Sequence, residues 1–189
     1  MSGKVATESG SGGAKRALPV VALVPLEEGD RDAFVADNQE AFNYGALVES
    51  GDGEKRFMEE EGQVISRETI IRSLEEGEAW RIVQDGRKVG GVVLRTDGEK
   101  GELDLLFVVP GVHGRGVGQA AWRAVEALHP EVRVWETVTP YFEKRNIHFY
   151  VNKCGFRIVE FFCSRHPDTA HGPDGDGFEM FRFEKRVER

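Results

Sequence analysis

The stretch that decides the fold is LDLLFVVPGVHGRGVGQAAWRAVEAL, residues 103–128. It begins with a nearly continuous apolar run, Leu103 to Val109, which only Asp104 interrupts; such a run is typical of a central strand buried on both faces. Three glycines in five residues follow shortly after Pro110. Apolar residues then recur at helical spacing as far as Leu128. The sequence therefore predicts a buried strand, a tight glycine-rich turn and an amphipathic helix.

The glycine-rich turn, His113 to Gly118, has the features of an anion site. The first N–H groups of a helix have no partner within it, and glycines leave them open to a phosphate or pyrophosphate. A P-loop is excluded, because Val117 and Gly118 stand where its Lys and its Ser or Thr are needed to hold phosphate and magnesium.

A dinucleotide-binding fingerprint is a more serious alternative for the same turn. Residues 116–121 read GVGQAA, which satisfies G-x-G-x-x-A, and Glu136 follows 20 residues after Gly116. In that motif, however, the first glycine sits at the strand end, whereas six residues, 110–115, intervene here. The upstream strands also form a hairpin rather than repeated βαβ units, so we set this interpretation aside.

The elements predicted on either side of this stretch define one domain, residues 17–189. The predicted strands are Leu18–Leu26, Trp80–Gln84, Lys88–Arg95, Val132–Val138, Phe156–Cys163 and Phe178–Phe183. The predicted helices are Asp30–Tyr44, Arg67–Leu74 and one that Thr139 and Pro140 start and Gly155 ends, with Ile147, Val151 and Cys154 facing inward. This order predicts an α/β (α+β) fold with a mixed sheet flanked by helices. Residues 1–16, rich in Gly, Ser and charge, are expected to be a disordered arm.

Composition excludes several classes of function. The chain carries 25 Lys and Arg against 33 Asp and Glu, with no concentrated basic face for a nucleic acid. No apolar run approaches the roughly 20 residues that a membrane helix needs. The two cysteines form no CxxC pair, so we expect no metal site. Without the apolar core of a secretory signal, a cytoplasmic location is the default expectation.

Two motifs in this order resemble those of the GNAT superfamily of N-acetyltransferases. The first is the strand end Val108-Val109-Pro110 followed by residues 113–118, HGRGVG, with His113 where Gln or Arg is usual. The second runs from Asn146 through Phe149-Tyr150 to Gly155-Phe156, with one residue more than the commonest spacing between Tyr150 and Gly155. The resemblance covers roughly residues 80–183.

The resemblance implies a mostly antiparallel central sheet and an acetyl-CoA-dependent enzyme that uses no metal. The main chain of the central strand would pair with pantetheine, the turn would hold the pyrophosphate, and an asparagine would bond the cofactor arm. Tyr150 would protonate the departing thiolate. The cofactor-binding residues implied in this way are Phe107, Val108, Val109, His113, Gly114, Arg115, Gly116, Val117, Gly118, Gln119 and Asn146.

The acceptor amine must lose a proton, so a carboxylate is expected near it. Glu136 is the first candidate for the base, because it shares a strand face with Val134 and Val138. Glu102, Asp104 and His148 are alternatives. Transfer from a thioester to an amine needs no covalent enzyme intermediate when both substrates are held together.

The acceptor implied by the resemblance is a small-molecule or peptide amine, with neither nucleic acid nor membrane as a partner. Whether the chain is a monomer or a homodimer stays open at this point. A non-catalytic acyl-CoA-binding or regulatory module is the alternative function.

Overall fold

The computed structural model describes residues 17–49, 62–168 and 179–188. The expected disordered arm, residues 1–16, lies outside the described residues. The strands are β1 (Ala22–Pro25), β2 (Glu78–Gln84), β3 (Arg87–Asp97), β4 (Lys100–Val108), β5 (Val134–Pro140), β6 (Arg157–Phe162) and β7 (Met180–Arg186). The helices are α1 (Arg31–Glu49), α2 (Arg67–Glu76), α3 (Val117–Leu128) and α4 (Lys144–His148), the last continued by a π-helical turn, Phe149–Cys154.

The strands form one seven-stranded sheet in the order β1-β2-β3-β4-β5-β7-β6. Every neighbouring pair is antiparallel except β4 and β5, which are parallel and are connected through α3. The prediction of a mixed, mostly antiparallel sheet flanked by helices is confirmed. The predicted elements are present, with boundaries displaced by a few residues.

Strand β4 is the centre of the sheet and is packed on both faces. Its register with β3 passes from Val93–Leu105 to Leu94–Leu103, which leaves Asp104 as the extra residue of a β-bulge. Leu103 consequently packs with the buried cluster around α3, whereas Leu105 packs with the cluster beneath α1 and α2. The bulge therefore explains how a run of apolar residues serves two cores.

Close approaches at Gly91 and Gly101 require glycine in the central strands. A Cβ atom on Gly91 of β3 would lie 2.2 Å from the Phe34 ring of α1, so only a hydrogen atom fits beneath that helix. A Cβ atom on Gly101 of β4 would lie 2.4 Å from the ring of Trp135 in β5. The indole is fully buried against Trp122 of α3, with ring centroids 5.3 Å apart. The junction of β4 with β5 is therefore tightly packed.

The predicted start of the last helix is wrong. Thr139 and Pro140 are the end of β5, where Thr139 pairs with Phe181 and Pro140 with Met180, and α4 begins only at Lys144. Pairing with β7 extends β5 through these residues. The N–H of Tyr141 donates to the Glu179 carbonyl at 3.0 Å, so the nitrogen of Pro140, one residue earlier, faces away from β7 and its missing N–H interrupts no bond to that strand. The predicted inward face of this helix is present, since Ile147 and Val151 pack on the core and Cys154 is buried.

The π-helical turn accommodates the residue by which the second motif is longer than usual. The N–H of Gly155 donates to the carbonyl of Tyr150, five residues back, and Gly155 ends the turn at φ +82°. A π-helical turn adds one residue to a helix without displacing the residues after it. Tyr150 accordingly still faces the core although the spacing is longer by one.

Candidate active site

The site lies where β4 and β5 separate. These parallel strands pair over three residues only, ending at Glu102 and Glu136. The rest of β4 keeps β3 on one side and, among the described residues, has no ladder partner on the other. Since the Val109 N–H donates to the Val89 carbonyl, alternation along the strand directs the main-chain groups of Val108 and Leu106 to the open edge, and those of Phe107 toward β3.

The glycine-rich turn is at the carboxyl end of this open edge. Gly114 and Gly116 have φ values of +74° and +84°, which other residues adopt only with strain. Gly116 is the N-cap of α3 and supplies no side chain to its first N–H groups. Those groups, on Val117, Gly118 and Gln119, are the donors that the sequence predicts for an anion.

His113 supports this turn. Its Nε2 donates to the carbonyl of Val108, and its ring packs edge-on against Tyr44 of α1, with ring centroids 5.5 Å apart. Burial lowers the pKa of His113, the nearby Arg145 lowers it further, and the carbonyl contact opposes both. The ring is therefore neutral at neutral pH. Its hydrogen bond to the Val108 carbonyl holds the end of β4 in place.

The side chains of the turn diverge. Arg115 is exposed. Gln119 points away from the turn, because its Nε2 donates to the Lys153 carbonyl at the end of the π-helical turn, 2.7 Å away. Gly118 lies against the Phe149 ring, which an added Cβ atom would meet at 3.2 Å. The start of α3 is thus joined to the π-helical turn across the end of the open edge.

Asn146 and Tyr150 face β5 from one side, one helical turn apart. The Asn146 amide is 3.4 Å from the hydroxyl of Thr139, and Tyr150 is hydrogen-bonded to Thr137. Burial raises the pKa of Tyr150 to about 12, which the contact with Thr137 opposes. The phenol is 8% exposed and protonated at neutral pH.

The candidate bases are Glu136 of β5, on the strand face opposite Thr137, and Glu102 and Asp104 of β4. Glu136 is 44% exposed at its side chain and accepts from Arg182 of β7 at 2.8 Å. Glu102 and Asp104 both contact Arg95 of β3, at 2.8 and 3.2 Å. Asp104 Oδ2 is buried without a hydrogen-bond partner among the described residues. The structure therefore brings the three candidate carboxylates to the junction of the strands.

His148 is not part of this group. It is exposed on α4, and its Nδ1 accepts from the Asn152 amide at 3.1 Å.

Sequence reasoning missed the polar residues that connect the site. Arg95 binds three carboxylates and Arg182 binds two, and Thr137 and Thr139 are 3% and 4% exposed on the inner face of β5. The only sequence signal for the two threonines was the alternation of inward and outward residues along the strand, which places both on the same face as Trp135. Leu106 was missed because the main-chain groups that face an open edge depend on the hydrogen-bonding register.

The described segments, residues 17–49, 62–168 and 179–188, contain neither a membrane-spanning helix nor a metal-binding cluster. No helix there combines the length and apolar character of a bilayer span. No three His, Cys, Asp or Glu side chains there are gathered closely enough to hold a metal ion.

Comparison with solved structures agrees with this architecture. An acetyltransferase from Thermus thermophilus matches 90% of this chain and 99% of its own length, with a TM-score of 0.62 and 18% identity. The PaiA N-acetyltransferase of Thermoplasma acidophilum, solved in complex with coenzyme A, matches 89% and 99%, with a TM-score of 0.62 and 16% identity. The ribosomal-protein-S18-alanine N-acetyltransferase of Escherichia coli matches 90% and 96%, with a TM-score of 0.60 and 16% identity. At such identities the likeness shows a shared fold.

Comparison of sequences identifies the family of the chain. Residues 42–156 match the family model described as the acetyltransferase (GNAT) family. The chain is also 43% identical over 183 residues to YrkN of Bacillus subtilis (strain 168), an uncharacterized protein, covering 90% of this chain and 96% of that one. With a mixed sheet that opens between β4 and β5 and a glycine turn at the open end, this chain belongs to the GNAT family of acetyltransferases.

Proposed function

We propose that the protein transfers an acetyl group from acetyl-CoA to a primary amine of a small molecule or peptide, by direct attack while both substrates are bound. The observation that carries this proposal is the open edge of β4 beyond Glu102, which ends at the first N–H groups of α3 in the glycine turn. An extended, amide-bearing chain with a pyrophosphate at one end complements such an edge. Family membership supports the same conclusion.

In this proposal pantetheine runs along the open edge and pairs with the main chain of Leu106 and Val108. The pyrophosphate is held by the turn from His113 to Gln119 through main-chain N–H groups, with Arg115 as an exposed cation beside it. Asn146 contacts the cofactor arm from α4. Phe107 and Val109 shape the edge, because Phe107 packs its ring on Phe34 and Val109 bonds to β3.

The chemistry follows from the two faces of β5. A thioester placed between β4 and β5 would meet Glu136 from one face and Tyr150 from the other, because neighbouring residues of a strand point to opposite faces and Tyr150 contacts Thr137. Glu136 removes the proton from the amine as nitrogen attacks the carbonyl carbon. Tyr150 protonates sulfur as the C–S bond breaks.

The buried Cys154 takes no part. Burial raises the pKa of its thiol to about 12, so no thiolate is present at neutral pH to serve as a nucleophile. Attack by the amine itself is therefore the simpler route. We place the enzyme in the cytoplasm, where acetyl-CoA is made and used.

The first experiment measures binding of acetyl-CoA, NAD and ATP by calorimetry, and thiol release with a panel of amines. We expect acetyl-CoA to bind and the other two to fail. Gly118→Arg should abolish binding, because the new side chain enters the space beside Phe149 and Val108. The same substitution at Gly29, where an added Cβ atom meets nothing within 4 Å, is the matched control.

Two outcomes would contradict the proposal. Tighter binding of NAD than of acetyl-CoA would restore the dinucleotide-binding interpretation. Binding of acetyl-CoA without thiol release for any amine would favour a non-catalytic acyl-CoA-binding module.

A further inference from the structure

Thr137 lies at the point where the ladder between β4 and β5 ends. The last pair is Glu102–Glu136, and one residue further the strands are joined by a side chain: the Thr137 hydroxyl donates to the Leu103 carbonyl at 2.8 Å. Thr137 is 3% exposed. Its hydroxyl takes the place of the main-chain bond that the next ladder step would have made.

The same hydroxyl is the hydrogen-bond partner of Tyr150. A carbonyl can only accept, so the single proton of Thr137 is used by Leu103, and a hydrogen bond between the two hydroxyls is one that Tyr150 donates to Thr137 Oγ1. The phenol ring is enclosed by Phe149, Phe156 and Phe183, with ring centroids 5.4 to 5.6 Å away. None of these three rings offers the phenol hydroxyl a conventional hydrogen-bond acceptor.

We propose that Thr137 is a positioning residue of the acetyl transfer, which aims the Tyr150 hydroxyl at the apex of the opening between β4 and β5 and then donates to the phenolate. This inference rests on the proposed function. It adds to that function a chain of three groups, Tyr150, Thr137 and the Leu103 carbonyl, in which the central hydroxyl can turn.

The step balances in atoms and charge. The amine nitrogen forms a bond to the carbonyl carbon and loses a proton to Glu136, the C–S bond breaks, and its electron pair goes to sulfur. Sulfur takes the proton of Tyr150. The Thr137 hydroxyl rotates from the Leu103 carbonyl to the phenolate oxygen and stabilises it, since hydrogen bonds to a charged oxygen are stronger than neutral ones. After the products leave, Glu136 releases its proton to solvent and the phenolate regains one from solvent.

A double-mutant cycle tests this role. Thr137→Val keeps the shape of the side chain and removes its hydroxyl, and we expect it to lower kcat about tenfold while the Kd for acetyl-CoA stays within a few-fold, as for loss of one hydrogen bond to a charged group. In a Tyr150→Phe background the same substitution should have no further effect on kcat, because there is no hydroxyl left to position. Thr137→Ser should restore kcat to within a few-fold of the wild type.

A second readout does not depend on turnover. The 13Cζ chemical shift of Tyr150, assigned by its loss in Tyr150→Phe, should move in Thr137→Val and return in Thr137→Ser. Thr96→Val, which removes an exposed hydroxyl of β3 that donates to Glu78 and has no contact with Tyr150, is the matched control and should change neither kcat nor this shift. If the wild type binds acetyl-CoA but releases no thiol, the proposed function fails, and the chemical shift still decides whether Thr137 orients the phenol.

Equal effects of Thr137→Val on kcat in the presence and absence of the Tyr150 hydroxyl would overturn the proposal, since Thr137 would then only hold the strands together. An unchanged chemical shift in Thr137→Val would overturn it as well.

Discussion

Glu136 and Asp104 are both candidates for the base, and they differ in their surroundings. Glu136 is 44% exposed and shares Arg182 with Glu160, whereas Asp104 is 20% exposed and keeps one buried oxygen without a hydrogen-bond partner among the described residues. Exposure favours exchange of the proton with solvent. A free carboxylate oxygen favours direct contact with the amine. The sequence ranks Glu136 first, and we retain it because it lies opposite Tyr150 across β5.

Substitution of the two carboxylates separates these assignments. Glu136→Gln should lower kcat by about 10²- to 10⁴-fold, the usual effect of removing a general base, and displace the acidic limb of kcat/KM. Asp104→Asn should have a smaller effect. Kinetics with acceptor amines of different pKa are needed, because the ionisation of the amine also shapes that limb.

Glu184→Gln is the control for this experiment. Glu184 is the register partner of Glu136 on β7 and is bonded to Arg186, so its loss removes a neighbouring charge without touching the opening. A larger loss of kcat in Asp104→Asn than in Glu136→Gln would assign the base to Asp104 instead.

At the scale of elements, the π-helical turn and the start of α3 depend on one another. A π-helical turn leaves carbonyls at its end without helical partners, and Gln119 satisfies one of them, that of Lys153. Gly118 allows the Phe149 ring to approach α3. The two elements that border the open edge are therefore connected by a side chain that the motif would assign to the cofactor.

Replacement of this side chain distinguishes the two roles. Gln119→Ala should lower the free energy of unfolding by about 1 kcal/mol, the net value of one hydrogen bond, while the Kd for acetyl-CoA stays within a few-fold because the main-chain N–H is retained. Urea denaturation and calorimetry measure the two quantities. Arg123→Ala, at an exposed position of the same helix, is the control. Unchanged stability together with a tenfold weaker affinity would place the Gln119 side chain on the cofactor.

At the scale of the whole molecule, the sheet consists of two parts joined by a short ladder. Strands β1 to β4 carry α1 and α2, and β5, β7 and β6 form the other part. The three pairs between β4 and β5, the packing of Trp135 over Gly101 and the Thr137 hydroxyl hold them together. The opening between the parts exists because the ladder stops there, so the site is a property of the assembled sheet.

The core beside this junction contains two weakly acidic side chains, Cys154 and Tyr150. The stability of the fold should therefore decrease at alkaline pH. Burial raises the pKa of Cys154 from 9.0 to about 12 and that of Tyr150 from 10.0 to about 12. The folded state thus favours the neutral forms. The stability that depends on these neutral forms is fully present below pH 9 and is lost as the pH rises toward 12. We expect the free energy of unfolding to fall by about 1.4 kcal/mol per pH unit for each group, from about pH 9 for Cys154 and from about pH 10 for Tyr150.

Urea denaturation of the wild type and of Cys154→Ala between about pH 7 and pH 10 checks this expectation. The variant should be less stable at neutral pH, because a buried side chain is lost, but its stability should decline less steeply in the alkaline range. Cys163→Ala, which removes a half-buried thiol, should parallel the wild type. Parallel curves for the wild type and Cys154→Ala would contradict a protonated Cys154.

The sequence by itself determined the fold class, the order of the elements, the glycine turn at the start of α3 and the strand face that carries Glu136. These follow from local regularities: apolar periodicity, and the tolerance of glycine for positive φ at residues 114 and 116.

Only the tertiary structure decided where β5 ends, how the extra residue before Gly155 is absorbed and which groups face the opening. Thr139 and Pro140 read locally as a helix start, but pairing with β7 outweighs that preference. Thr137 and Arg182 acquire their roles from partners distant in sequence, Leu103 and Glu136. Such contacts depend on strand register and on the length of a ladder, which no local pattern encodes because many registers satisfy the same alternation of apolar and polar residues.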